Sequence, residues 1–374
     1  MQPIVWYVSG HGFGHASRDI EIINALRERR PGLPVVVRTG ATRWIFDLTL
    51  RAPVEFQPIE CDTGVAQIDS LRLDEAATIE RAAAFYADFD VKVAAERDAL
   101  RRLNPALVVG DVPPLAFAAA SAAAVPSIAL GNFTWDWIYE DYEPERYGAP
   151  GLVGKVRDAC ALAGAFVRLP LWGGFEMARP EVTYDVPLVA RRSVRDPAET
   201  RKALGLPLDR KLVLLSFGGH GLRGLSPRAF DAFGGEFAAV LTGHLGMSDA
   251  AGPSGRGVFE FDERALYDAG WRYEDLVAAV DVVATKPGYG IIAECAANQT
   301  ALLYTSRGHF IEYEILVQEM PRYVRSQYIP QDDLFAGRSL PYLEELLAQD
   351  RPEPADVTGA AVAADLILER MGDR

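Results

Sequence analysis

Two successive series of short apolar segments, alternating with helical patterns, constrain the fold of this chain more than any other feature. In the first series the apolar segments lie at 4–8, 34–38, 106–109 and 127–130, and the helical patterns at 19–30, 71–103 and 115–124. In the second the apolar segments lie at 212–217, 238–241 and 282–285, and the helical patterns at 274–280 and 290–297. Short continuous strands that alternate with helices are typical of parallel sheets covered on both faces. The chain is therefore predicted to be an α/β protein with two Rossmann-like halves.

The length and the spacing of these series predict two domains that share a cleft. A chain of 374 residues is long for one domain, since about 150 residues per domain is usual. We place an N-terminal Rossmann-like domain at 1–175 and a C-terminal one at 196–355. The stretch 169–195 carries several Gly, Pro and Arg residues without a clear period, which is typical of a hinge, and we place the hinge segment at 176–195. The last segment, 356–374, is predicted to form a helix that either closes the C-terminal domain or crosses back to the N-terminal one.

Composition and charge exclude several classes of protein. Hydrophobic residues make up 49% of the chain and charged residues 24%, which is typical of a globular protein and not of a disordered one. The net charge of -14 repels phosphate backbones and anionic membranes, so no nucleic-acid partner is expected. The richest apolar run, 115–125, is shorter than the roughly 20 residues of a membrane-spanning helix, and the N-terminus lacks the basic region of an export signal. Without a membrane segment or an export signal, a cytoplasmic location is expected.

Cysteine usage fits the same location. The three cysteines, Cys61, Cys160 and Cys295, are widely spaced and form no CxxC pair. Neither a disulfide framework nor a zinc site is therefore expected.

All five histidines directly follow a glycine, at positions 11, 15, 220, 244 and 309. A Gly-His pair after a strand predicts an imidazole on a loop. In an open parallel sheet, the loops at the carboxyl ends of the strands form the ligand crevice. These histidines are therefore candidate site residues, and the alternative is that they are solvated side chains in tight turns.

The first glycine-rich loop, 10–18, lies between a predicted strand and a predicted helix. Its glycines allow close approach of a ligand to the backbone, and the following helix N-terminus favours negative charge. A dinucleotide site is disfavoured, because His15 stands where the third glycine of GxGxxG would be and the second strand ends in Arg38 and Thr39 instead of an acid. The chain has no GxxxxGK[ST] motif, which excludes a P-loop kinase.

An aspartate at a neighbouring strand end is the predicted partner of His15. Asp111 follows the strand at 106–109, and adjacent strand ends converge on one crevice. A carboxylate there could orient an imidazole that acts as a general base. The alternative is that Asp111 caps the following helix.

The strongest segment of the second half, 285–294, predicts an anion site. A strand ends there, glycines expose backbone N–H groups, and a helix begins near Gly290, with Lys286 as a point charge. A diphosphate is the expected occupant. Glu294 lies about one helical turn further on, where its carboxylate could accept hydrogen bonds from ribose hydroxyls. Alternatively, Glu294 is only a first-turn residue that favours the helix dipole.

The chain resembles the GT-B glycosyltransferases, and most of all the N-terminal domain of plant L-arabinokinases and its free-standing bacterial relatives. The resemblance covers nearly the whole chain and rests on five motifs: SGHGFGHASR at 9–18, GDV at 110–112, NFTWD at 132–136, FGG at 217–219 and KPGYG at 286–290. More distantly, the chain is similar to the peptidoglycan N-acetylglucosaminyltransferase and to UDP-glycosyltransferases. The resemblance implies two facing Rossmann-like domains, with the nucleotide sugar mainly on the C-terminal one.

The resemblance also implies roles for individual positions. His15 and Asp111 match the catalytic histidine and its aspartate partner, Lys286 replaces a diphosphate-binding histidine, and Glu294 matches a ribose-binding glutamate. Further nucleotide-binding positions are Gly218, Gly219, Gly288, Tyr289 and Gly290, together with Trp271 and Tyr273 near the base. Positions assigned to the donor sugar or the acceptor are His11, Gly12, Phe13, Gly14, Asn132, Trp135, Asp136, His309 and Glu312. Glu312 lies where relatives carry an Asp-Gln or Gln-Gln pair for the donor sugar.

The implied activity is inverting, metal-independent transfer of a hexosyl or pentosyl group from a UDP-sugar to a small-molecule acceptor, without a cofactor. The segment 132–145 mixes aromatic and acidic residues, which would suit an aromatic, hydroxylated or cationic acceptor. The alternative for this segment is a solvated acidic loop over a structural aromatic cluster. Two other functions stay open: a nucleotide-sugar epimerase or hydrolase, and a protein that binds a nucleotide sugar without chemistry. The oligomeric state is left open.

Overall fold

A computed structural model of the chain describes residues 1–217, 235–242 and 257–372. Four positions singled out in the sequence, Gly218, Gly219, His220 and His244, lie outside the described residues. None of the helices within the described ranges combines the length and the hydropathy needed to cross a membrane.

The N-terminal domain is built on a parallel sheet of seven strands in the order β3-β2-β1-β4-β5-β6-β7. The strands are β1 (Ile4–Val8), β2 (Val35–Thr39), β3 (Glu55–Pro58), β4 (Leu107–Asp111), β5 (Ser127–Gly131), β6 (Ala165–Arg168) and β7 (Thr183–Asp185). The residues of β1, β2, β4 and β5 are all buried, as expected for strands covered on both faces. In the register of β1 and β4, Val8 lies opposite Asp111.

Seven helices cover this sheet: α1 (Phe13–Arg29), α2 (Arg43–Thr49), α3 (Glu75–Ala87), α4 (Phe89–Leu103), α5 (Pro114–Ala123), α6 (Trp135–Asp141) and α7 (Leu152–Ala161). The helical pattern predicted at 71–103 is confirmed over most of its length, and it forms two helices, because Asp88 ends α3 and begins α4. The start of α1 is also earlier than predicted. Gly12 adopts a φ of 78° and ends the loop, so the helix begins at Phe13.

Six strands of the C-terminal domain are described, in the parallel order β10-β9-β8-β11-β12-β13. They are β8 (Lys211–Leu215), β9 (Phe237–Thr242), β10 (Val258–Phe261), β11 (Val282–Thr285), β12 (Ala301–Tyr304) and β13 (Ser326–Tyr328). The described helices are α8 (Pro197–Ala203), α9 (Glu263–Asp268), α10 (Tyr273–Ala279), α11 (Tyr289–Asn298), α12 (Glu312–Glu319), α13 (Gln331–Phe335) and α14 (Leu340–Ala348). The two predicted Rossmann-like halves are thus present as two parallel sheets with helices.

The segments that join the domains differ from the predicted boundaries. The segment 176–195 contributes β7 to the first sheet, so that sheet extends beyond residue 175. The last helix, α15 (Gly359–Gly372), packs against α1 of the N-terminal domain, where Asp365 pairs with Arg29. The chain therefore crosses back to the N-terminal domain after it completes the C-terminal one.

Candidate active site

The Gly-His pattern predicted that His15 lies on a loop. In the structure His15 lies in the first turn of α1. The early start of the helix at Phe13 places His15 opposite the end of β4. The side chain is buried, with 6% of the residue exposed. A histidine in the first helical turn is held more rigidly than one on a glycine-rich loop.

His15 and Asp111 are brought together as predicted, and an arginine joins them. His15 Nδ1 lies 3.2 Å from Asp111 Oδ1. Arg18 Nε donates to Asp111 Oδ2 at 2.7 Å, and Arg18 Nη2 contacts both Asp111 Oδ1 and, at 3.0 Å, His15 Nδ1. The helix-cap interpretation of Asp111 is wrong, because Pro113 is the N-cap of α5 and no side chain caps that helix. Asp111 is instead the acceptor at the centre of a buried cluster.

Arg18 stabilises the ionised form of Asp111. Burial raises the pKa of the Asp111 carboxyl, but the Arg18 guanidinium and His15 lower it by more, so it stays well below its ordinary value. Asp111 is therefore an ionised carboxylate at neutral pH. The sequence analysis did not single out Arg18, although its i, i+3 spacing from His15 places both side chains on one face of a helix.

This cluster continues into the C-terminal domain. Arg18 Nη1 donates to Asn132 Oδ1 at 2.6 Å, and Asn132 Nδ2 donates to Glu312 Oε1 at 2.7 Å. The guanidinium of Arg18 also lies over the ring of Tyr289, 5.3 Å from its centroid. Asn132 and Glu312, which we assigned to the donor sugar or the acceptor, thus bond to each other across the domain boundary.

Aromatic side chains form a wall beside His15. The ring centroid of Phe133 lies 5.6 Å from that of His15, and His11 lies edge-on to Trp135 at 5.5 Å. Trp135 Nε1 donates to Asp62 Oδ2 at 2.8 Å. Burial raises the pKa of Asp62, while its hydrogen bonds act in the opposite direction. Asp62 was not predicted, and no local pattern in its sequence marks it.

Four predicted site residues have other contacts. Asp136 is buried and pairs with Arg157 of α7, and Tyr289 accepts a hydrogen bond from the backbone N–H of Val189 at 2.9 Å. Phe13 packs against Trp44. The ring nitrogens of His309, which is well exposed, lie 3.0 Å and 2.8 Å from carboxylates of the N-terminal domain, those of Glu75 and Asp141. Of these contacts, those of His309 join the two domains.

The predicted anion segment faces the first glycine loop across the cleft. Lys286 directly follows β11, and α11 begins at Tyr289 with Gly288 as its N-cap. A Cβ atom at Gly290 would lie 3.6 Å from Gly14 Cα, so the two glycine segments approach closely. Burial and the nearby Arg307 guanidinium lower the pKa of Lys286 to about 7, against the carboxylate of Asp69.

Glu294 is bound by an arginine from the segment that joins the domains. Arg191 Nε donates to Glu294 Oε1 at 2.6 Å, and Arg191 Nη1 donates to the hydroxyl of Tyr267 at 3.2 Å. Glu294 therefore lies in a buried ion pair in the second turn of α11, and its interpretation as a first-turn dipole residue is wrong. Burial raises the pKa of Glu294 to about 7, while Arg191 acts to lower it.

The residues expected near a nucleotide base lie beside this ion pair. The guanidinium of Arg195 lies over the Trp271 ring at 4.4 Å, and that of Arg191 lies over the Tyr273 ring at 5.5 Å. The Tyr273 hydroxyl donates to Ser216 Oγ at 2.7 Å. Across the part of the chain that the structure describes, no three His, Cys, Asp or Glu side chains are grouped as a metal site requires.

The sequence of the chain is similar to that of a plant enzyme. No protein-family model matches the chain. The L-arabinokinase of Arabidopsis thaliana is 29% identical to it over 372 residues, which are 97% of this chain and 34% of the arabinokinase. The chain thus spans about a third of the length of this curated relative, and the predicted resemblance to plant L-arabinokinases is confirmed.

Solved glycosyltransferases share its architecture at low sequence identity. The glycosyltransferase of kitacinnamycin has a TM-score of 0.66 and 18% identity, with 99% of this chain and 100% of that chain covered. UGT89C1 of Arabidopsis thaliana has a TM-score of 0.62 and 15% identity, with the same coverage. The calicheamicin glycosyltransferase CalG4 has a TM-score of 0.61 and 16% identity over 100% and 99% of the two chains. The chain therefore has the predicted GT-B fold.

Proposed function

We propose that the chain is an inverting, metal-independent glycosyltransferase that moves a sugar from a UDP-sugar to a hydroxyl of a small acceptor. The observation that carries the proposal is the close approach of two chemically different sites, one on each domain. A histidine with an ionised carboxylate partner lies on the N-terminal side, and a lysine at a helix N-terminus lies on the C-terminal side. A base on one side and an anion site on the other are what transfer from a diphosphate requires.

In this mechanism His15 is the general base. The mechanism uses the tautomer in which Nδ1–H donates to Asp111, so that Nε2 takes the proton of the acceptor hydroxyl. The acceptor oxygen attacks the anomeric carbon, and the bond from that carbon to the diphosphate breaks. The electron pair leaves with the diphosphate, and a single displacement inverts the anomeric centre. Lys286 and the N-terminus of α11 stabilise the charge that develops on the leaving group.

The nucleotide would lie on the C-terminal domain, beside Trp271 and Tyr273. Both contacts from Arg191 to Glu294 reach Oε1, so ribose hydroxyls would use Oε2. A solved structure of UGT89C1 is complexed with UDP, which supports this class of ligand for the fold. We assign the donor to this domain because its anion site and ribose carboxylate share one helix, α11.

The acceptor would bind on the N-terminal side, against Phe133, Trp135 and His11. The buried carboxylates of Asp62 and Glu312 border this wall, as does the amide of Asn132. Such a surface suits an aromatic or hydroxylated acceptor, whose rings stack and whose hydroxyls donate to carboxylates.

The His15→Ala variant tests the assignment of the base. Release of UDP from UDP-sugars would be measured with a panel of hydroxylated acceptors, together with UDP affinity by calorimetry. We expect turnover to fall by about 10²- to 10⁴-fold while UDP affinity changes little, because a general base acts in the transition state. His309→Ala is the matched control, since that histidine lies outside the Asp111 cluster.

Full turnover by His15→Ala would contradict the base assignment. Release of UDP by the wild type without any acceptor would favour a hydrolase or an epimerase instead. Saturable binding of UDP without turnover, across the whole panel, would favour a protein that only binds the nucleotide sugar.

A further inference from the structure

Two half-buried cations, Lys286 and Arg307, lie near each other at the carboxyl end of the second sheet. Lys286 follows β11 and Arg307 lies three residues beyond β12, and Thr285 and Tyr304 pair in the register of these strands. Within the described ranges, no carboxylate forms an ion pair with either side chain. Arg307 Nε is buried without a hydrogen-bond partner, and the guanidinium lies over the Phe310 ring at 4.3 Å.

Among the described residues, the arginines that are fully buried are paired with carboxylates. Arg18 binds Asp111, Arg191 binds Glu294, and Arg38 binds Glu96. A buried charge without a partner is unfavourable, which is why such pairing is the rule. Lys286 and Arg307 have no such carboxylate partner among the residues that the structure describes. An anionic ligand would supply the negative charge that they lack.

The pKa shifts of the two cations also favour an anionic ligand. Burial lowers the pKa of both side chains, and the Arg307 guanidinium lowers that of Lys286 further. The groups that act in the opposite direction are Asp69 on Lys286, and Glu312 and Tyr142 on Arg307. Their effect does not restore the ordinary pKa of either cation. An added negative charge would therefore stabilise the charged form of both side chains.

The arginine is held in place by the N-terminal domain. The backbone N–H of Gly308, the next residue, donates to the carbonyl of Leu71 at 2.7 Å. A Cβ atom at Gly308 would lie 3.0 Å from the backbone N of Leu73, so a larger residue would push this loop away. The loop that carries Arg307 therefore packs directly against the N-terminal domain.

We propose that Arg307 is the second cation of the diphosphate site. The proposal rests on the proposed function, since it concerns the same anion site. Two cations and a helix N-terminus match a group with two or more negative charges better than a carboxylate with one. Arg307 would thus determine the preference for a diphosphate over a monophosphate.

Calorimetric titration with UDP and with inorganic pyrophosphate tests the proposal. The variants are Arg307→Gln, Arg307→Lys and Lys286→Gln, with Arg322→Gln as an exposed arginine control. We expect Arg307→Gln and Lys286→Gln to bind both probes about 10- to 100-fold more weakly, the range for loss of a charge-assisted hydrogen bond. Arg307→Lys should recover most of the affinity, and Arg322→Gln should match the wild type.

The outcomes separate this proposal from the proposed function. Wild-type affinity of Arg307→Gln for both probes would overturn the role of Arg307, even if Lys286→Gln still lost UDP. If pyrophosphate binding depends on both cations but no sugar is transferred to any acceptor, the two-cation site stands and the transferase proposal fails.

Discussion

The two sides of the cleft satisfy their buried charges in opposite ways. On the N-terminal side, Arg18 and His15 share the carboxylate of Asp111 at distances of 3.2 Å or less. On the C-terminal side, Lys286 and Arg307 lie near one another without an ion pair among the described residues, and the pKa of each is lowered.

The difference suits two different proposed roles: the Asp111 cluster acts on the substrate, and the Lys286–Arg307 pair binds it. The N-terminal cluster is complete without a ligand, so the proposed base and its carboxylate partner are preorganised. The two C-terminal cations repel each other in the free protein and lower its stability. Part of the binding free energy of an anion would offset this electrostatic cost. Stability should therefore respond in opposite directions to substitutions on the two sides.

The largest effect on stability is expected for Asp111→Asn. This change leaves the buried Arg18 guanidinium without its carboxylate, and loss of one partner of a buried ion pair costs about 3–5 kcal/mol. Denaturant unfolding at pH 7 would measure the loss, with His15→Ala as the control, because that variant keeps the Arg18–Asp111 pair. Equal losses in the two variants would contradict the assignment of Arg18 to Asp111. Turnover should fall in both variants.

Acidification of the wild type should reproduce part of this loss. The pKa of Asp111 is lowered in the folded chain, so its stabilising contribution is present above the ordinary pKa of an aspartate and is lost as the pH falls towards the folded value. Asp111→Asn should lack this component of the acid transition.

A smaller effect of the opposite sign is expected for Lys286→Met. A lysine with a lowered pKa destabilises the fold fully below its folded value of about 7, and this penalty disappears as the pH rises from there towards 10.5. We expect the variant to gain about 1–3 kcal/mol in unfolding free energy at pH 6 and progressively less above pH 7. The control is Lys211→Met, a half-exposed lysine of β8. A loss of stability at pH 6 would contradict the unpaired state of Lys286.

Much of this fold could be predicted from the sequence, because the buried strands are continuous apolar runs. The predicted strands at 4–8 and 282–285 coincide with β1 and β11. The meeting of His15 and Asp111 could also be predicted, since both follow strands of one sheet. The break at Asp88 could not, because the helical pattern continues through it.

The arginines that complete the site could not be predicted, for a physical reason. Arg18 and Asp111 are 93 positions apart, and Arg191 and Glu294 are 103 apart. Pairs at such separations depend on how the strands and domains assemble, which no local period records. For the same reason neither the ion pair of Glu294 with Arg191 nor the position of Arg307 was predicted.

The most direct test of the account is calorimetric titration of Lys286→Ala with UDP and with uridine. If Lys286 binds a diphosphate, the variant should bind UDP more weakly by about 1.5 to 3 kcal/mol and bind uridine with nearly unchanged affinity. Glu294→Ala is the matched control, and it should weaken both ligands alike because its proposed partners are ribose hydroxyls. Equal losses of UDP and uridine affinity in Lys286→Ala would contradict a nucleoside diphosphate site in this cleft.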